Sequence, residues 1–262
     1  MSATAFEPGA FEPDPRPARI PHMIAAQSAL ELRLLLRNGE QLLLTMFIPI
    51  TLLIGLCVVP LDTDAGDHPA ARAHTFLPVI LAVAIMSTAF TGQAIAVGFD
   101  RRYGALKRLG ATAIPRWGII AGKSIAVVIV VLLQMVLLCA IAAGFGWRPS
   151  VSGLGFAILA VVVGTVTFAA LGLALGGTGK AEVVLAVANL VWFVLAGIGS
   201  LVVLGSRVPA AARTFARGTP SGALTDALAQ ADAGRLAVGT LAVLLVWAVL
   251  GTAAAVKWFR FD

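Results

Sequence analysis

IIAGKSIAVVIVVLLQMVLLCAIAAGFGWRPSVSGLGFAILAVVVGTVTFAALGLAL, residues Ile119 to Leu175, decides the fold. It holds two apolar runs, Ile119–Phe145 and Val151–Leu175. Crossing ~30 Å of hydrocarbon at ~1.5 Å per residue takes about 20 helical residues, and each run is long enough. The link Gly146–Ser150 is so short that the two must form an antiparallel hairpin. Both runs are continuous rather than alternating, which selects helices over a β-barrel. Lys123, near the start of the first, is the one charge inside either run.

Four further runs of this kind flank the hairpin: Gln41–Pro60, Phe76–Gly98, Val183–Gly205 and Leu236–Val256. The whole chain of 262 residues is 59% hydrophobic and 12% charged, about half the ~25% charge of soluble domains. A water-soluble fold of this size could not hide so much apolar surface. The expectation is an all-α integral membrane protein with six transmembrane helices. The net charge of +6 does not point to nucleic acid, because the 19 Lys and Arg flank the apolar runs. Cys57 and Cys139 lie inside apolar runs and give neither a disulfide framework nor a metal cluster. Residues 1–21, proline-rich and without an apolar core, read as a disordered cytoplasmic tail and not as a signal peptide. Residues 22–262 read as one transmembrane domain.

Placing both termini inside leaves Arg72, Arg148, Arg207, Arg213, Arg217 and Arg235 outside and the other 13 basic residues inside. The 30-residue connection Ser206–Arg235, with four arginines, is the discordant piece. Longer loops weigh less in this rule, so both termini stay cytoplasmic.

Three segments outside the spans carry specificity. In His22–Asn38, Ile24, Leu30, Leu34 and Leu35 recur at helical spacing against Gln27, Glu31, Arg33 and Arg37. This predicts an amphipathic helix lying in the cytoplasmic interface, either as an anchor alone or also touching a partner. In the inner loop Asp100–Trp117, Tyr103, Leu106 and Leu109 recur every three residues, ahead of Gly110 and Pro115. A loop that served only as positive charge would need no such stripe, so a short helix docking into a groove of a partner protein is favoured. In Ser206–Arg235, Pro209 opens one short helix ending at Gly218, and Thr219-Pro220 caps and opens a second ending near Gly234. Two sets of start and stop signals predict a re-entrant or interfacial helical pair before the sixth span.

Few polar side chains remain inside the spans. Gln93 and Asn189 fall ~8–9 Å from the inner edge at 1.5 Å per residue, and Gln134 falls near the midplane. Each should face other helices or a wet cavity, as interhelical glue or as a substrate contact. An ion-coupled carrier or channel working alone is the main competing class. Such proteins place Asp, Glu or His at membrane depth, whereas Glu40 and Glu182 stand only at cytoplasmic borders. A membrane-embedded enzyme is a third class. His68 and His74 lie near Asp62, Asp64 and Asp67, where a solvated acidic loop is favoured over a weak metal site. Gly118–Ser124 and Gly176–Lys180 approach a phosphate-binding loop but miss its spacing or residues.

The order of these features resembles the membrane subunit of ABC-2-type ABC transporters, over nearly the whole chain from His22. The stretches that carry the resemblance are LELRLLLRNGEQLLLTMFIP at Leu30–Pro49 and FDRRYGALKRLGATAIPRWGIIAGK at Phe99–Lys123. VLAVANLVWFVLAG at Val184–Gly197 and TPSGALTDAL at Thr219–Leu228 add to it. Asp100 stands where the family more often has Glu. The resemblance implies a half-transporter in a bacterial cytoplasmic membrane, paired with a second permease copy as a homodimer. Two copies of a separate ATPase would bind ATP and Mg, with no cofactor in this chain. Asp100, Arg101, Arg102, Tyr103, Gly104, Leu106, Lys107, Arg108 and Leu109 would form the coupling helix to the ATPase. Glu31, Arg33 and Arg37 would belong to the connecting helix, and Pro209 and Pro220 to an outer gate. Family members mostly export drugs, lipids or lipid-linked molecules.

Overall fold

A computed structural model describes residues 18–59, 68–204 and 208–258, with the side chains of residues 40–42, 44 and 116 excepted. Every regular element among them is helical. The helices are α1 (Ile20–Arg37), α2 (Gly39–Val58), α3 (Pro69–Ile85), a π segment (Met86–Gly92), α4 (Gln93–Arg102), α5 (Ala105–Gly110) and α6 (Arg116–Gly144). They are followed by α7 (Val151–Gly176), α8 (Ala181–Ser200), α9 (Ala210–Gly218), α10 (Pro220–Asp232) and α11 (Val238–Trp258). Residues 1–17 of the expected tail, and Asp62, Asp64 and Asp67 of the acidic loop, lie outside the described residues.

Five helices are long and apolar enough to cross a membrane: Pro69–Arg102, Trp117–Gly144, Val151–Gly176, Ala181–Ser200 and Val238–Trp258. The chain is therefore a multi-pass membrane protein. The first expected span corresponds to α2, whose described apolar stretch, Thr45–Val58, is shorter than these five. The second is longer than its apolar pattern. It runs 34 residues as α3, the π segment and α4 without a break. The hairpin forms as expected: Gly146 turns with φ +96°, and the Ser150 hydroxyl caps α7 by accepting from the Gly153 amide at 3.0 Å.

α7 is the hub, and its small residues explain why. Gly172 lies so close to the π segment that an added Cβ would stand 2.7 Å from the Phe90 carbonyl oxygen. One turn on, Gly176 would meet the Ala94 carbonyl oxygen at 2.6 Å. This Gly-x-x-x-Gly pair is thus a packing device that lets two backbones touch. On the same helix Gly153 and Gly164 receive Ala231 and Leu224 of α10. Phe168 of α7 meets Phe90 edge-on, with ring centroids 6.5 Å apart. The core gathers Leu77, Leu81, Phe90, Met135, Phe168, Leu224 and Leu244 between α3, α6, α7, α10 and α11.

Candidate functional site: the inner polar junction and the outer helical pair

α1 turns its polar side inward. Gln27, Ser28 and Glu31 are buried, whereas Leu30, Leu34 and Leu36 are exposed. That is the inverse of a soluble amphipathic helix and suits one whose outer face meets lipid. Gly122 of α6 makes room for this face, since an added Cβ would stand 2.5 Å from Cγ of Gln27.

The reason for the inverted burial is Lys123. Its ammonium donates to Glu31 Oε2 at 2.9 Å and to Asp100 Oδ2 at 2.7 Å. Gln27 Nε2 donates to the other Glu31 oxygen at 2.8 Å. One buried cation therefore ties three elements together: α1, the end of α4 and the start of α6. A charge left alone at this depth would be costly, and sharing two carboxylates offsets that cost.

Asp100, which the resemblance assigned to the coupling helix, lies in α4 and gives its carboxylate to Lys123 with 33% of the side chain exposed. One expectation for the inner loop is corrected. Leu106 does not line a docking stripe: it is 1% exposed, packed with Val97, Ile119, Leu173 and Ala255, with Leu109 against the same cluster. The helix is also shorter than the stripe implies, being Ala105–Gly110 alone. Gly104, at φ +68°, makes the left-handed turn into it, a conformation that favours glycine. What the loop does expose is a basic corner of Arg102, Tyr103, Lys107 and Arg108. Tyr103 stacks on Phe99, Arg102 lies over both rings and pairs with Glu182, and Arg108 donates to the Tyr103 carbonyl. Arg101 turns inward and donates to the carbonyls of Gly176 and Gly179. Both sequences that approach a phosphate loop are thus occupied by structure, one inside helix α6 and the other capped by Arg101. Arg33 and Arg37 stay exposed on α1.

The three amides within the spans separate cleanly. Gln134, 1% exposed, is interhelical glue: it accepts from Thr88 Oγ1 at 3.0 Å and donates to the Thr45 carbonyl at 3.4 Å. Asn189 is exposed on α8 and donates to the Leu185 carbonyl of its own helix at 2.8 Å. Gln93 is 4% exposed, and neither polar atom of its amide finds a partner among the described residues.

At the other end, the described part of the Ser206–Arg235 connection, residues 208–235, forms the two helices expected of it. α9 starts after Pro209 and ends at Gly218, and α10 starts at Pro220, capped by Thr219 accepting from the Gly222 amide at 3.3 Å. Pro220 is buried and Pro209 exposed. Nearly all of α10 is buried, against α3, α7, α8 and α11. Its two acids hold it in place. Asp226 accepts from Arg217 Nε at 2.9 Å and from Gln230. Asp232 accepts from Trp147 Nε1 at 2.6 Å and pairs with His74 at 2.8 Å. These clamps were not foreseen, and the acids of α10 were the signal for them, since a buried carboxylate demands partners. Arg72 similarly caps the end of α2, donating to the carbonyls of Cys57, Val58 and Val59.

A family model described as "ABC-2 family transporter protein" matches residues 58–257 of this chain. No curated protein sequence matches it significantly. The matched stretch contains the basic corner, Lys123, Asp100 and both helices of the outer pair, whereas Glu31 precedes it.

Proposed function

The chain belongs to the ABC-2 transporter family as an ABC transporter permease, and from that premise we propose that it is half of an ATP-driven exporter of hydrophobic or amphipathic molecules. In this reading α2 is the first of six spans, added to the five long helices, since its 20 residues reach about 30 Å at 1.5 Å per residue. Both termini are cytoplasmic, α9 and α10 form the outer gate, and a second copy of the chain completes the path. A separate ATPase subunit, two copies per assembly, binds ATP and Mg and docks on the basic corner.

The observation that carries the proposal is the Glu31–Lys123–Asp100 junction directly behind that corner. A push on Arg102 and Tyr103 reaches Asp100 within one helical turn, and through Lys123 it reaches both the interfacial helix and the third span.

Co-purification from solubilised membranes tests the proposal, read together with efflux of lipophilic dyes. Replacing Tyr103 and Arg108 by Ala and Glu should release an ATP-hydrolysing subunit and stop efflux while leaving thermal stability unchanged, as exposed substitutions usually do within about 0.5 kcal/mol. Leu106→Ala should instead destabilise the chain itself by roughly 2–5 kcal/mol, because it opens a cavity inside the fold. Normal efflux from the Tyr103/Arg108 variant would refute the docking site.

A further inference from the structure

We propose that the half-open cavity between α1, α2, the π segment with α4, and α6 is a hydration site, whose ligand is water held between Gln93 and the Lys123 junction. The cavity measures about 40 Å³ and is lined by Glu31, Thr45, Thr88, Gln93 and Lys123 among apolar side chains. A cavity of this kind needs only about 10–15 Å³ and two to four polar partners to hold a water molecule. Both requirements are met. Gln93 brings a donor and an acceptor, neither partnered among the described residues. Glu31 and Lys123 present an ion pair at the inner wall, and the Thr88 hydroxyl oxygen, which already donates to Gln134, keeps lone pairs free to accept.

The chemistry of the walls selects water over other guests. The volume is too small for the headgroup of a lipid or for a drug-sized molecule. The charges that line it are one carboxylate and one ammonium joined at 2.9 Å, while the second carboxylate on that ammonium, Asp100, stands outside the lining. The guest must both donate and accept to satisfy the Gln93 amide. Left dry, that amide would keep a buried donor and acceptor unsatisfied.

The π segment explains why this space exists. A π turn inserts an extra residue into the helical ladder and is characteristic of functional sites. Here it ends at Gly92, so Gln93 is the first side chain to emerge from it, and it emerges into the cavity. Water at this point has a mechanical consequence. Parting Lys123 from its carboxylates in a dry interior would expose bare charges at high cost, whereas a hydrated pocket lets them part into solvent. The joint between α1, α4 and α6 is thereby able to open and close.

The adjacent residues Val130 and Val131 test this, because both are 2% exposed but only Val130 is among the residues lining the cavity. Val130→Cys and Val131→Cys would be made singly in the full chain with Cys57 and Cys139 replaced by Ala, and each protein moved into D2O in lipid. Exchange of the thiol hydrogen, followed by the infrared S–H band, should be at least an order of magnitude faster at position 130. Adding Gln93→Leu should slow position 130 to the rate of position 131. Equal rates at the two positions with Gln93 in place would overturn the proposal. Val127→Cys, also on the cavity wall, replaces Val130→Cys if that protein does not fold. Thermal stability gives an independent readout. Gln93→Leu in the native background should not raise the melting temperature, and a rise would mean that the amide had been dry and unpaired, which sinks the hydration site.

Discussion

Both ends of the bundle are tied across helices by buried carboxylates, yet they are built on opposite plans. At the inner end two acids from different helices, Glu31 and Asp100, converge on one lysine beside a cavity. At the outer end two acids on one helix, Asp226 and Asp232, diverge to separate partners, while α10 is also seated on Gly153 and Gly164 of α7. At the inner end both carboxylates share a single cation, Lys123, so one side chain carries the whole charge tie. The outer end is held redundantly, by packing first and by charge second. In the proposed exporter this asymmetry would put a joint at the driven end and a stiff piece at the other.

The largest effect should come from breaking the joint. Lys123→Met leaves the buried Glu31 carboxylate and the partly exposed Asp100 carboxylate without their cation and should lower stability by about 3 kcal/mol, toward the low end of the cost of orphaning buried charge. Thermal unfolding of the solubilised protein reads this directly. Adding Glu31→Gln and Asp100→Asn to Lys123→Met should restore most of the loss, because the charges go together. If the single variant were no worse than an outer-end variant, the contrast between the ends would fail.

The outer end should respond more to volume than to charge. Any Cβ at Gly222 would run into the backbone carbonyl of Ala216, where α9 meets α10, and backbone cannot swing aside. Gly222→Ala should therefore cost roughly 1–3 kcal/mol, as overpacking does. Asp232→Asn keeps an acceptor for Trp147 but turns an NH2 in place of a carboxylate oxygen toward the half-exposed His74, for about 1 kcal/mol. The same unfolding assay ranks them, and a reversal of that order would put charge, not packing, in control of the outer end.

The outer end was also the more legible in sequence, for a physical reason. Pro209, Gly218, Thr219-Pro220 and Gly234 are local signals, each acting on its own few residues, and both helices begin and end by them. The short link Gly146–Ser150 forced the hairpin in the same way. The inner junction depends on contacts that no local pattern encodes. Glu31 and Lys123 are 92 residues apart, and Asp100 and Lys123 are 23 apart. Periodicity marked Tyr103, Leu106 and Leu109 as one apolar stripe, but it could not say whether that stripe faced a partner or the chain's own Val97 and Leu173. It gave no sign of the π segment either. One clue was present: a lone lysine inside an apolar run requires a counter-charge, and the two acids on the neighbouring inner segments were the candidates.

The smallest effect on stability separates both ends from the surface between them. Asn189 stands exposed on α8 amid exposed Leu185, Leu190 and Phe193, its amide donating only to its own helix. Most of α8 is exposed, with 17% of its apolar window buried. Asn189→Leu therefore removes no contact between helices, and the folded chain should change by less than about 0.5 kcal/mol. What happens beyond the single chain depends on what covers this face. Lipid has no use for an amide, so a lipid-facing Asn189 could become Leu with no loss of transport. A face that meets a second copy, or lines the path between two copies, would lose a hydrogen-bonding group where no water can replace it. In the proposed dimer, Asn189→Leu should leave the melting curve in place and yet lower dye efflux or shift the dimer–monomer balance. Unchanged efflux and unchanged assembly would assign the exposed side of α8 to lipid and send the search for the translocation path to another face.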